Sequence, residues 1–477
     1  SGLLDDLIAR LGEKPLGLPS GYLSFVKKEV SRLFPKGWDR AYENNCLTVC
    51  PPLSSCCEMG RSGGGALGVL RDQSWFLDCV LNYGSGSGKL LPSYRGQLIV
   101  VQSAGKPRPL SKFPAESVFL KPLHKTIYGS LSTKKWLLRG PPGADALERA
   151  GFGDGKGVLV SGDYKSATDN LPIEVMELAL STMLSNAAFV PANVCELALR
   201  ACRPILFSES DSLEVTRGQM MGSLLSFPFL CLQNYLSFSW AAQKSGLKKR
   251  PPVVINGDDI LFQTDDASFP GKWFEVVAAV GLEVEETKTS ISESYGSLNS
   301  TLLGFSGGRL GPLWSPRFGM LRPAQHPGSL GASFASFLKG CDEPRARFKS
   351  GREWFKWHLG ELRSAGVSLP SLGFRGLLAL RLAKMFDLLY LPEVEFPRAF
   401  SDHGVGFSGD FVVPVPSDMV DAEIRLTSSI EIAAAMWTEG WSPASRTRRA
   451  LLYCMARSAV KGRRFDYPSI HSSVFGG

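Results

Sequence analysis

The sequence predicts an α+β fold, and three observations carry that prediction. "VVINGDDILF" at 253–262 reads as strand, turn and strand, with Asn-Gly-Asp between two apolar runs. Residues 172–203 repeat apolar side chains at helical spacing, Val175, Leu178, Leu180, Met183 and Leu184 among them. Beyond residue 310 the pattern turns helical and rich in Trp, Phe and Arg. Strands and helices therefore share the middle of the chain, while helices alone dominate its end.

Residues 1–60 read as short helical pieces broken by Pro and Gly, as in "GEKPLGLPSG" and "CPPLSS". "GSGSG" at 84–88, followed by Lys89, imitates a phosphate-binding loop. The match fails: Tyr83 stands where that motif's first Gly belongs, and Leu90 where its Mg²⁺-holding Ser or Thr belongs. "QLIVVQS" (97–103) predicts a strand, and "AGKPRPLSK" after it a basic loop. "KGVLVSGDYKSATDN" gives a short strand over 158–160 that runs into acids and hydroxyls. Gly218 to Gln243 carries no charge for 26 residues, but Gln219, Asn234, Gln243, Pro228 and several Ser make it a buried helix rather than a membrane span. A Pro-rich interruption follows at 391–418, and there is no internal repeat.

A chain of 477 residues is too long for one ordinary core, so several subdomains around a shared centre are expected. Its 44% hydrophobic and 21% charged content excludes wholesale disorder. The net charge of +8 favours an anionic partner but is modest for a protein that merely coats nucleic acid. Between Trp441 and Gly477, Arg446, Arg448, Arg449, Arg457, Lys461, Arg463 and Arg464 face one acid, Asp466. A solvated tail and a phosphate-contacting segment both fit that pattern. Ten cysteines with no repeated CxxC pair, several in apolar runs (Cys195, Cys231, Cys454), fit a reduced intracellular compartment. Cys46, Cys50, Cys56 and Cys57 cluster without a nearby His, in a spacing that favours free thiols over a zinc module. The chain opens Ser-Gly, with no signal peptide.

Asp258 and Asp259 stand side by side at the apex of the predicted hairpin. Adjacent carboxylates repel by roughly 1 kcal/mol even in water, and by more beside an apolar wall. A solvated turn would tolerate them, and so would a divalent cation. Mg²⁺ takes hard oxygen ligands, and a two-metal site needs a third acid from another strand. Asp163, where the 158–160 strand ends, is the natural candidate.

Five segments in order resemble motifs of viral RNA-dependent RNA polymerases, most closely those of ourmia-like and narna-like positive-strand RNA viruses. "GKPRPLSK" (105–112) is similar to motif F, "GDYKSATDNL" (162–171) to motif A and "GQMMGSLLSFPFLCLQN" (218–234) to motif B. "INGDDI" (255–260) and "GLEVEETKTSIS" (281–292) resemble motifs C and D. The resemblance implies a right-hand polymerase with fingers, a palm of antiparallel sheet flanked by helices, and a helical thumb. The corresponding boundaries are an N-terminal extension over 1–59, fingers over 60–157, palm over 158–306 with a fingers insertion near 172–216, and thumb with the basic segment over 307–477.

The function implied is template-directed RNA synthesis from NTPs with two Mg²⁺ or Mn²⁺ ions. Asp163 and Asp258 would be the main metal ligands, Asp259 a secondary one, and Lys288 the proton donor to pyrophosphate. Lys106 and Arg108, with Lys112 beside them, would hold the triphosphate. Asp169, Gly222, Ser226 and Asn234 would read the ribose and the nascent pair, Gly218 sharing the loop; Thr168 and Asp169 are polar where reverse transcriptases tend to place a bulky aromatic. Asn234 departs from the commonest pattern, which puts Asn at the position of Leu230. The partners implied are RNA template, nascent RNA and NTPs, and the place is the host cytoplasm or, as in related lineages, mitochondria. "LKPLHKTIYGSLSTKKWLLRG" (120–140) mixes cations with Tyr128 and Trp136; template contact and an ordinary core with solvated charges both explain it. The rival functions are a reverse transcriptase and a catalytically dead RNA-binding palm.

Overall fold

The structure, a computed structural model, describes residues 2–82, 94–103, 105–209, 212–324, 327–365, 369, 372–388 and 421–440. The "GSGSG" stretch, the Pro-rich segment at 391–418 and the basic tail at 441–477 lie outside the described residues. The chain forms two compact units, Ser1–Pro312 and Leu313–Gly477.

In chain order the strands of the first unit are β1 (Arg95–Ser103), β2 (Lys106–Lys112), β3 (Val158–Gly162), β4 (Ile205–Phe207), β5 (Ser212–Glu214), β6 (Val253–Asn256), β7 (Asp259–Thr264), β8 (Ser290–Ser292), β9 (Tyr295–Leu298), β10 (Thr301–Ser306) and β11 (Arg309–Pro312). They form three sheets, ordered β2-β1-β4-β5, β6-β7-β3-β8 and β11-β10-β9. The predicted hairpin is β6 and β7, whose register ends at Asn256↔Asp259 and leaves Gly257 and Asp258 as the turn. Gly257 takes a φ of 63°, a left-handed value that a two-residue loop between twisted strands readily uses at its first position.

Along β7, Ile260, Leu261 and Phe262 are all fully buried, because the central sheet is covered on both faces. Phe262 packs its ring 5.1 Å from both Phe238 and Trp273, side chains of the Ser226–Lys244 and Phe269–Ala279 helices. Leu261 points the other way, with Leu159 and Val254, into a core shared with Leu298, Leu303 and Leu310 of the β11-β10-β9 sheet. The uncharged stretch folds as expected into a buried helix, continuously enclosed from Pro228 to Ala242. No described helix is long and apolar enough to cross a membrane.

The basic loop expected after β1 is instead strand β2, paired with β1 from Gln97↔Lys112 to Ser103↔Lys106. Pro107 and Pro109 are tolerated because β2 is the edge of its sheet, where a missing N–H breaks no ladder bond. The 172–203 region is two helices, Ile173–Ser185 and Ala192–Ala201. In the cysteine cluster, burial pushes the Cys46 thiol up to about 12, and the thiols of Cys56 and Cys57 approach the carbonyls of Met59 and Lys112.

The second unit is helical where described. Its core gathers Phe334, Trp354, Phe355, Phe374 and Leu382 from the helices Leu330–Phe337, Pro344–Trp357 and Leu377–Met385 and the segment between them. Glu343 caps the second of these helices, its carboxylate accepting from the Arg345 and Ala346 N–H groups at 3.0 and 2.5 Å. Buried His358 is pinned between Glu361 Oε1 and the Met320 carbonyl, both at 2.8 Å.

Candidate active site

β3 ends at Gly162 opposite Ile260, so Asp163 leaves the sheet beside Asp259, the first residue of β7. Asp258 sits at the hairpin tip next to them. The backbone of Asp163 is clamped by the segment that leads into β8: its N–H donates to Thr289 Oγ1 at 3.3 Å, and its carbonyl accepts the Glu285 N–H at 2.8 Å. Asp259 Oδ2 accepts the Asn299 N–H at 3.2 Å.

Electrostatics joins the three acids. Loss of water lifts the Asp258 carboxyl above its usual range although the residue is exposed beside buried Gly257; its own backbone N–H opposes the rise, and Asp163 adds repulsion. Asp259 is pushed up to about 6 by burial first and by Asp258 next, against the help of Asn299. Negative charge is therefore expensive here unless a cation shares it.

Asn234, expected at the sugar, lies elsewhere. It is fully buried beneath the hairpin, its Oδ1 accepting the Tyr164 O–H at 3.0 Å and its Nδ2 donating to the Gly257 carbonyl at 3.1 Å. The amide thus ties the residue after Asp163 to the residue before Asp258. It is not among the cavity-lining residues. The residue pattern gave no sign of this, because the partners lie 70 and 23 positions away.

Beside the acids opens a cavity of about 510 Å³, within the range of small-ligand sites. Arg108, Thr168, Asp169, Gly222, Ser226 and Asp258 line it. Ser166, with a left-handed φ of 43°, turns the chain after β3 so that Thr168 and Asp169 reach the cavity. The loop before the Ser226–Lys244 helix is held on both sides: Gln219 N–H donates to the Thr168 carbonyl at 2.7 Å, and Ser111 N–H to the Met221 carbonyl at 3.0 Å. Gly222 has a φ of 106°, and a Cβ there would meet Ser111 O at 2.2 Å. Gly218, with a φ of 89°, approaches the Asp169 carbonyl as closely as 2.7 Å from such a Cβ. Ser226 Oγ faces Gln219 Oε1 at 3.4 Å.

Lys106 and Lys288 are exposed and, like Asp163 and Asp259, are not among the cavity-lining residues; Lys288 lies in the 285–289 segment that clamps the Asp163 backbone. Lys112 is half-buried and its carbonyl takes the Cys57 thiol. In the 120–140 stretch, Trp136 is buried and stacked on Tyr235 at 3.9 Å, while its carbonyl accepts the Ile255 N–H at 2.7 Å. This aromatic is core. Tyr128 carries Arg139 over its ring at 4.2 Å. An unanticipated contributor is Arg10, which lines the cavity from the Gly2–Leu11 helix.

Among the described residues no group of three or more His, Cys, Asp or Glu side chains closes into a metal cage. The expected trio is therefore not a preformed cluster, in part because Asp259 is turned to Asn299. What the donors fit is an open site of hard oxygens, one or two carboxylates completed by water and substrate oxygens, which is the habit of Mg²⁺ rather than of a thiolate or imidazole metal.

Comparison with known proteins follows the same lines. A family model described as Mitovirus RNA-dependent RNA polymerase matches residues 93–296. The RNA-dependent RNA polymerase of Ourmia melon virus (isolate Melon/Iran/VE9) is 27% identical over 357 residues, covering 62% of this chain and 41% of that protein. The chain thus spans less than half the length of that relative. Two solved structures of the RNA-dependent RNA polymerase of a human picorbirnavirus share the fold at 12% identity. The intact protein aligns with a TM-score of 0.54 over 81% of this chain and 82% of its own, and an insertion-loop deletion mutant with 0.55 over 75% and 76%. In its motifs across residues 93–296 and in its right-hand α+β fold, the chain is similar to the viral RNA-dependent RNA polymerases.

Proposed function

We propose that the chain is an RNA-directed RNA polymerase, extending a 3′-hydroxyl on an RNA template with NTPs. What supports this reading above all is the convergence of four sequence-distant segments, 108–111, 166–169, 219–226 and Asp258 of the β6–β7 turn, on one cavity, with Asp163 leaving β3 beside that turn. Arg108 meets the triphosphate, to which its planar guanidinium can offer paired N–H donors. Asp169 and Ser226 face the ribose, and Gly222 leaves room for backbone to lie against the nascent pair. Asp163 and Asp258 hold divalent cations, with Asp259 behind them. Bound there, Mg²⁺ or Mn²⁺ supplies charge neutralisation and acidification of the attacking hydroxyl.

Holding the reactants in line is the chain's own contribution. Asn234 and Thr289 fix the acids, and the clamped 218–226 loop fixes the sugar. Fingers, palm and thumb are assigned to 60–157, 158–306 and 307–477 within this reading, with RNA template and nascent strand as partners. The test is incorporation of labelled NTPs by the purified full chain on a primed RNA template with Mg²⁺. Template-length product that disappears in Asp163→Asn and in Asp258→Asn is expected. Product from both variants at the parent level would remove these acids from the reaction, and no product from the parent chain would count against the activity itself.

A further inference from the structure

The Gly2–Leu11 helix lies far in sequence from every polymerase-like motif, yet it forms part of the cavity wall through Leu7 and Arg10. It is firmly attached. Thr216 N–H and Oγ1 both donate to the Leu11 carbonyl, at 3.1 and 3.0 Å, and Arg217 pairs with Glu13 at 3.2 Å, just ahead of Gly218. Leu11 is fully buried, and its methyl group lies 3.0 Å from where a Gly218 Cβ would stand.

From this helix Arg10 Nη2 reaches Asp169 Oδ2 at 3.1 Å, with the carboxylate side chain 19% exposed. Arg10 Nε is buried and has no hydrogen-bond partner. A guanidinium has five donors in a fixed fork, and an unmet buried donor beside an open cavity is a place for a ligand oxygen. Burial lifts the Asp169 carboxyl above its usual range, and Arg10 offsets part of that rise.

We infer that Arg10 is a positioning residue for sugar selection, holding Asp169 ionised and aimed at the 2′-hydroxyl of the incoming ribonucleotide. The inference rests on the ribose role proposed for Asp169. Arg10 meets one oxygen of the carboxylate, whose remaining lone pairs can accept a second donor from the cavity it lines. A ribose supplies one, whereas a deoxyribose leaves the charge facing a void, and sites built around such a hydrogen bond reject the analogue lacking it. Without Arg10 the carboxyl takes up a proton more readily and is free to turn away, so the distinction between the two sugars weakens.

The experiment measures kcat/KM for an NTP and the matching dNTP on a primed RNA template, using the full chain and the variants Arg10→Gln, Arg10→Lys, Asp169→Asn and the Arg10→Gln/Asp169→Asn double variant. Arg10→Gln is expected to lower the NTP-over-dNTP ratio by about tenfold, through a raised KM for the NTP. Arg10→Lys keeps charge without the fork and should fall about two- to fivefold. The double variant should match Asp169→Asn, because both changes act on one contact. An unchanged ratio in Arg10→Gln beside a lowered one in Asp169→Asn would make Arg10 a structural ion pair and overturn the inference alone. An unchanged ratio in Asp169→Asn would remove the ribose role first and this inference with it. Should Arg10→Gln lose its thermal transition, Arg10→Lys decides, and a parent-like ratio there overturns the inference.

Discussion

Asp258 and Asp259 show at the scale of single residues why the site calls for a cation. Both carboxyls are raised by lost water first, Asp258 further by the charge of Asp163 and Asp259, to about 6, further by that of Asp258. Asp163→Asn and Asp258→Asn should each lower nucleotide incorporation by ~10²-fold or more, the scale seen when one preorganised electrostatic group is removed from a reacting centre. Steady-state rates on a primed template check this, with a thermal melt to show the fold persists. At Gly222 the backbone itself makes a prediction. Ala there meets both an unfavourable φ and the Ser111 carbonyl, so Gly222→Ala should cost about 2 kcal/mol or more in a urea titration and remove activity. The acids, Gly222 and Ser226 were legible in the sequence because their motifs are local strings. Asn234 and Arg10 were not, since their partners are set by tertiary packing.

At the scale of elements, the Ser226–Lys244 helix serves the hairpin as well as the core. Its Asn234 amide bonds Tyr164 and Gly257 where no water reaches. Asn234→Leu should destabilise by about 1–3 kcal/mol for each polar group left unmet, and should cut the reaction rate further than stability alone explains, because the two acid-bearing segments lose their tie. Denaturant midpoints and rates at a temperature where both proteins remain folded separate the two effects. The Lys121–Leu131 helix offers a pH readout. His124 is lowered from 6.5 to about 4 by burial first, then by Lys121, Arg139 and Lys125. Its neutral form is favoured in the fold, so the stability it confers is present above about 6.5 and is lost as pH falls toward 4. His124→Gln should flatten the decline of thermal stability across that window; an identical decline would contradict the assignment. β2 reads as a loop in sequence because of its two prolines, which only an edge position accommodates. The β11-β10-β9 sheet went unread because its strands are short and alternate weakly, with Tyr295 and Leu302 exposed.

At the scale of the whole molecule, the α+β class and the order of the motifs were both readable, since apolar periodicity and turn chemistry are properties of short windows. The joining of residues 2–11 to the same cavity as residues 105–112 and 218–226 was not, because it depends on contacts across two hundred positions. The account's central claim is that acids from β3 and from the β6–β7 turn share divalent cations beside a nucleotide cavity. Its most direct test is anomalous scattering from Mn²⁺ in crystals of the chain with primed RNA template and a non-hydrolysable NTP. The account predicts density bridging Asp163 and Asp258 and the phosphates of a nucleotide lodged against Arg108 and Asp169. A nucleotide in that cavity with Mn²⁺ bound away from both aspartates, or with none bound, would contradict it.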